Sequence, residues 1–103
     1  MVGTLTLSAP QMVIATSPFA CGIVVSGASP STNVTVQLDQ THGLAPMWAG
    51  SSVVIAVGPT GSGGGTIPGI ALNGPTPIAV LVATATSTTG DVFTPAAVGI
   101  KVI

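Results

Sequence analysis

The sequence predicts an all-β protein, one antiparallel β-sandwich of about seven strands that spans residues 1–103. Apolar and polar residues alternate with a period of two, and no segment of helical length carries an apolar stripe with the helical period. The 14 Gly and 9 Pro residues fall mostly between runs of Val, Ile and Thr, as turn residues do between strands. The connections leave no room for the helical crossovers of a parallel sheet, which favours an antiparallel sandwich. A small β-barrel is the competing architecture.

The N-terminal strand is predicted in two pieces. Thr4–Ser8 places Leu5 and Leu7 on its inward face and hydroxyl side chains on the other face. Pro10 has no N–H to donate to a sheet, so the strand breaks there and resumes around Met12–Ala15.

Three runs in the middle of the chain are predicted as strands. The first is Ala20–Ser26. The second, Asn33–Gln40, alternates most clearly, with its valines and Leu38 inward and Asp39 in water. The third, Ser52–Val57, is apolar on both faces, so we expect a central or covered strand.

The second half of the chain supplies the remaining predicted strands. Gly58–Gly65 is predicted as a flexible hairpin loop because of its glycines. Ile67–Leu72 contains Pro68 and is therefore expected at the edge of a sheet. Ile78–Ser87 and Ala97–Ile103 are the last two strands.

Charged side chains are almost missing from the sequence. They are Asp39, Asp91 and Lys101, or 3% of residues, where an ordinary soluble domain has about 25%. Nucleic-acid binding needs several Lys or Arg residues to neutralise phosphates, so we expect none. No stretch approaches the roughly 20 apolar residues of a spanning helix, so we expect no membrane insertion.

The few ionisable groups form no recognisable catalytic or metal site. Asp39 and His42 lie three residues apart, but a Ser–His–Asp relay needs geometry that nothing in the sequence specifies. As metal ligands they are two where structural zinc takes four, and Asp91 alone falls short of the six to eight oxygens of a calcium site. We therefore predict no catalytic residue, no cofactor and no metal.

Two further motifs are also interpreted as structural rather than functional. Gly61–Gly65 lacks the Lys and the following helix of a phosphate-binding loop, which favours a hairpin loop. Cys21 has no cation near it in the sequence that would lower its pKa, so it is interpreted as a small buried apolar residue.

The C-terminal quarter resembles a known family. Val80–Asp91, with its V-x-V-A-T run and Gly-Asp turn, is followed by the V-x-I-x-V strand Val98–Val102. These segments resemble the last two strands of bacterial and phage immunoglobulin-like domains. The chain departs from antibody domains in having one Cys and no Tyr. The resemblance implies an immunoglobulin-like β-sandwich of the kind used as spacers, adhesion modules and virion decoration.

Two segments are predicted to contact a partner. Met47 and Trp48 combine residue types that are enriched at interfaces, although a Trp packed in the core is the competing interpretation. The strand containing Leu5 and Leu7 is the other candidate, since a terminal strand can pair with a neighbouring subunit.

These observations predict a non-enzymatic structural protein of a virus particle, made in the host cytoplasm. The specific expectation is a bacteriophage capsid decoration or cementing protein that acts through shape and apolar contact. Its partners would be the major shell protein, copies of itself, or both, in a homo-oligomer or a lattice. The alternative is an immunoglobulin-like module of a bacterial surface adhesin that binds a sugar or a protein.

Overall fold

The described chain is built from β-strands in two sheets of four and five strands. The computed structural model describes residues 2–42, 50–72 and 75–103, and no helix occurs among them. The predicted all-β class is confirmed, and two sheets are consistent with the predicted β-sandwich. In chain order the strands are Val2–Ser8 (β1), Met12–Val13 (β2), Phe19–Ser26 (β3), Asn33–His42 (β4), Ser51–Ala56 (β5), Gly63–Ile70 (β6), Thr76–Ser87 (β7), Val92–Thr94 (β8) and Ala96–Val102 (β9).

The N-terminal segment contributes to both sheets. The four-stranded sheet has the order β6-β3-β1-β8, and the five-stranded sheet has the order β2-β9-β7-β4-β5. Pro10 separates β1 from β2, as predicted, and the break lets the chain pass from the first sheet to the second. Most neighbouring strands are antiparallel, but β1 pairs with β8 and β2 with β9 in parallel.

The core lies between the two sheets and follows the predicted alternation most closely in β4. Val34, Val36 and Leu38 are fully buried there, while Thr35 and Gln37 between them are exposed. Burial of each such side chain is worth about 1.5–3 kcal/mol relative to exposure. The alternation in β4 therefore determines which face of the five-stranded sheet turns to the core.

The glycine-rich loop is shorter than predicted, because Gly63 and Gly65 belong to β6. They lie opposite Ile55 of the other sheet. A Cβ at Gly63 would come within 2.9 Å of Ile55 Cγ2, and one at Gly65 within 3.4 Å of Ile55 Cγ1. Gly63 therefore allows the two sheets to approach closely, whereas a Cβ at Gly65 would make only an ordinary contact. The sequence does not distinguish this role of Gly63 from loop flexibility.

The prediction of a central or covered strand at 52–57 was wrong, because β5 is the last strand of its sheet among the described residues. Ile55 is buried, but Val54 is 62% exposed. A single exposed valine is common on protein surfaces, so apolar residues on both faces do not prove that both are covered. The edge position predicted from Pro68 is confirmed, since β6 ends the other sheet.

The short strand β8 was not predicted. Its three residues, Val92–Thr94, are too few to show a periodic pattern, and it pairs in parallel with the start of β1. Its central residue, Phe93, is 7% exposed and belongs to the core. A strand this short is determined by its tertiary partner rather than by its own sequence.

Candidate interaction surface

The two Asp residues have different environments. Asp39 is exposed on β4, where its Oδ1 lies 3.4 Å from the Gln37 amide that donates to it. The His42 side chain, its candidate partner, lies outside the described part of the structure. No group of three or more side chains that could hold a metal ion occurs among the described residues.

Asp91 is buried, with 8% exposure, and its carboxylate accepts hydrogen bonds from several donors. Ser29 donates its backbone N–H at 3.0 Å and its hydroxyl at 2.8 Å, and the hydroxyls of Thr89 and Ser87 donate at 3.0 and 3.2 Å. These bonds, with the Ser29 backbone N–H contributing most, lower the pKa of Asp91 to about 2. The carboxylate connects the β3–β4 segment to the turn after β7, and its low basicity makes it unsuited to act as a general base.

Cys21 lies on β3 and is fully buried, which confirms its interpretation as a small buried apolar residue. Burial raises the pKa of its thiol to about 11. A thiol in this environment remains protonated at neutral pH and is a poor nucleophile.

Of the four predicted interface residues, the structure describes Leu5 and Leu7. Leu5 is buried with 6% exposure, and Leu7 is partly buried and packs against the core. Their strand already has β3 on one side and β8 on the other, and its contact with another copy stays a prediction. Met47 and Trp48 lie outside the described residues.

The outward face of the four-stranded sheet is a continuous surface without charge, called the neutral face below. Its side chains are small or β-branched, and Asp39 and Lys101 lie on strands of the other sheet. In the described structure the neutral face includes Val2, Thr4, Thr6, Ser8, Ala20, Gly22, Val24, Ser26, Gly64, Thr66, Val92 and Thr94.

Val24 stands near the centre of the neutral face and is 52% exposed. The strand register places Thr6 beside it on β1 and Gly64 beside it on β6. The next row along the sheet contains Ser8, Gly22 and Thr66. The valine side chain therefore projects from a surface in which two nearby positions have no side chain.

The fold itself does not require glycine at positions 22 and 64. A Cβ at Gly22 would have its nearest neighbour at 3.8 Å, and one at Gly64 at 3.4 Å, both ordinary contacts. Neither residue has the positive φ that favours glycine. By contrast, a Cβ at Gly99 would come within 2.9 Å of Ile78 Cδ1.

A glycine inside a strand costs about 0.5–1 kcal/mol relative to alanine. Where internal packing does not explain such a glycine, a ligand or a second backbone that approaches closely is a known reason for it. Gly22 and Gly64 therefore make the neutral face the candidate surface for close contact.

Two shallow apolar grooves lie at the end of the molecule where the chain ends. One, of about 380 Å³, is lined by residues that include Met12, Ile14 and Phe19, and the other, of about 440 Å³, by residues that include Pro75 and Pro77. Ile103 lines both. Their walls carry few polar groups to orient a small molecule, so the grooves add apolar surface rather than a reactive centre.

The chain matches no protein-family model and no curated protein sequence. Within the described residues, no helix has the length and apolar character needed to cross a bilayer.

The sequence predicts only part of the neutral face. The alternation in Thr4–Ser8 placed its hydroxyl side chains outward, and the structure places Thr4, Thr6 and Ser8 there. Gly64 was assigned to a loop, so its position beside Val24 was not predicted. The signal in the sequence is Gly22, which lies within the alternating run Ala20–Ser26. Gly64 lies among other glycines, and its strand partner on β3 is far away in sequence.

Proposed function

We propose that this chain is a non-enzymatic structural protein of a virus particle, and specifically a bacteriophage capsid decoration or cementing protein. In this proposal the neutral face docks on the shell. The observation that carries it is the pair of glycines beside the exposed Val24, which leave room for a partner's backbone where the fold needs none.

The proposed domain type is immunoglobulin-like. The order β1-β3-β6 in one sheet and β4-β7-β9 in the other corresponds to the A-B-E and C-F-G strand sets of that fold. The division of the N-terminal strand between two sheets is compatible with such a domain. Sheet order supports this assignment, and the resemblance of Val80–Asp91 and Val98–Val102 to the family's last strands points the same way.

Docking in this proposal depends on burial of apolar area with little loss of side-chain freedom. Val and Thr restrict their own χ1 angle, so little rotamer entropy is lost when the neutral face is covered. A standard interface buries about 800 Å² per partner, which is about a sixth of the 5149 Å² that the described structure exposes. Many copies on one lattice multiply a modest affinity per copy.

The lack of charge has a consequence for solution conditions. Contacts between exposed charges weaken as salt rises, whereas contacts of an uncharged surface do not. Docking through the neutral face is therefore expected to persist between low and high salt.

The test is to separate source material on a density gradient and to quantify the chain in each fraction by mass spectrometry. The proposal expects the chain to migrate with particles at a fixed high ratio to a major shell protein. Val24→Lys adds a charge at the centre of the neutral face, so it should abolish rebinding to stripped particles. Val54→Lys, at a similarly exposed valine of the other sheet, is the matched control and should leave rebinding intact.

Recovery of the chain with the cell envelope, or within a longer polypeptide, would overturn the decoration proposal. That outcome would favour the second candidate, an immunoglobulin-like module of a bacterial adhesin. The apolar grooves beside Ile103 favour this candidate, because a further domain or a protein ligand could cover them.

A further inference from the structure

The sheet edges differ in how they are protected against pairing with another chain. In the described structure, β2 has two residues and β8 has three, too few to template a partner strand. The β6 edge contains Pro68 and the positive-φ Gly69. By contrast, β5 has six residues, Ser-Ser-Val-Val-Ile-Ala, with no Pro, Gly or charge.

The ladder between β4 and β5 shows which backbone groups of β5 face the open edge. Val57 N donates to Thr32 O at 2.9 Å, in register with the pairs that follow. Hydrogen-bonded and non-hydrogen-bonded pairs alternate in an antiparallel ladder, so Ile55 and Val53 also bond to β4. The N–H and C=O groups of Ser52 and Val54 therefore point away from β4, where the described strands offer them no partner.

A second copy of this chain is the partner that this edge fits best. Two copies of β5 can align antiparallel about a two-fold axis, so that each strand meets the open groups of the other. No charged side chain lies on β5, and the net charge of the chain is −1, so copies repel one another weakly. Val54, a β-branched residue with 62% exposure, lies at the centre of such a pair.

We infer that β5 is a self-association edge through which two copies join their five-stranded sheets into one continuous sheet. The contact is independent of the neutral face, which belongs to the other sheet. It supplies a two-fold dimer whether or not the chain decorates a particle.

The experiment is sedimentation velocity on the full chain from low micromolar to near-millimolar concentration, together with hydrogen exchange at both ends of that range. The expected result is a rise from one to two copies, with slower exchange of the Ser52 and Val54 amides at high concentration. The Val53 and Ile55 amides, which bond within the chain, should be protected at both concentrations.

Val54→Pro is the decisive variant, because it removes an N–H that the internal ladder does not use. It should raise the dimer dissociation constant by at least about tenfold while far-UV circular dichroism stays unchanged. Val54→Lys serves if the proline variant does not fold, since lysine is a natural protection of edge strands. Val24→Lys, on the other sheet, is the control and should dimerise normally.

Three results would overturn the inference. They are a monomer across the whole concentration range, a dimer in which the Ser52 and Val54 amides exchange at the monomer rate, and open-ended assembly beyond two copies. Failure here would leave the decoration proposal intact, because that proposal is tested by co-migration with particles and by rebinding of Val24→Lys, and neither readout depends on pairing at β5.

Discussion

The Gly64→Ala variant should affect folding and docking in opposite directions, so it distinguishes the two roles of the neutral face. A Cβ at this position would meet its nearest neighbour, Ile23 O, at 3.4 Å, and φ is not in the positive range. Alanine should therefore stabilise the fold by about 0.5–1 kcal/mol, mainly by restricting the unfolded chain. For a domain of this size that raises Tm by roughly 4–8 °C per kcal/mol.

The same methyl group should weaken docking. It fills the space beside Val24 that the proposal assigns to the partner, and overpacking a closely fitted contact costs about 1–3 kcal/mol. That cost corresponds to a roughly 5- to 150-fold weaker rebinding to stripped particles. The assay pairs thermal unfolding of the free protein with rebinding followed by sedimentation of the particles.

The adjacent residue provides a matched control. A Cβ at Gly63 would lie 2.9 Å from Ile55 Cγ2 and 3.1 Å from Ala56 O, so Gly63→Ala should destabilise the fold by about 1–3 kcal/mol. Its side chain would point inward, so the folded fraction should rebind normally. If Gly64→Ala destabilises the fold, the conclusion that a Cβ fits at that position is wrong. If the variant is stabilised and its rebinding is unchanged, the neutral face is not the docking surface.

Two further predictions concern ionisable groups. As pH falls below about 3.8 the unfolded Asp91 carboxyl takes up its proton, whereas the folded one does so only near pH 2, so stability should fall across that window. Asp91→Asn should flatten this acid limb in urea titrations, and an unchanged slope would count against the hydrogen bonds from Ser29. The Cys21 thiol ionises near pH 9.0 when unfolded and near 11 when folded, so its contribution to stability should be present below pH 9 and decline up to pH 11. Cys21→Ala should remove that decline, and native protein should resist a thiol reagent at pH 8 until it unfolds; rapid labelling of the folded chain would contradict the burial.

Local patterns in the sequence were sufficient to predict those features of a strand that depend only on its own residues. The alternation in Asn33–Gln40 predicted which β4 residues are buried, because a side chain's face depends only on its position in the strand. Pro68 predicted a sheet edge and Pro10 a break, because each lacks the N–H that a central strand must donate. The shortage of charge is likewise a property of composition alone.

Other features depended on residues far apart in the chain, and only the tertiary structure decided them. Gly63 is a strand residue because it pairs with Val25 of β3, and Ile55 of the other sheet packs over it. In the described structure β5 is an edge because β4 is its only strand neighbour. Asp91 is held by Ser29, 62 positions away. The sequence by itself therefore determined the strand class, the inward faces and the lack of charge, since these follow from neighbouring residues. Sheet order decided which glycines face open space, because that depends on which strands meet.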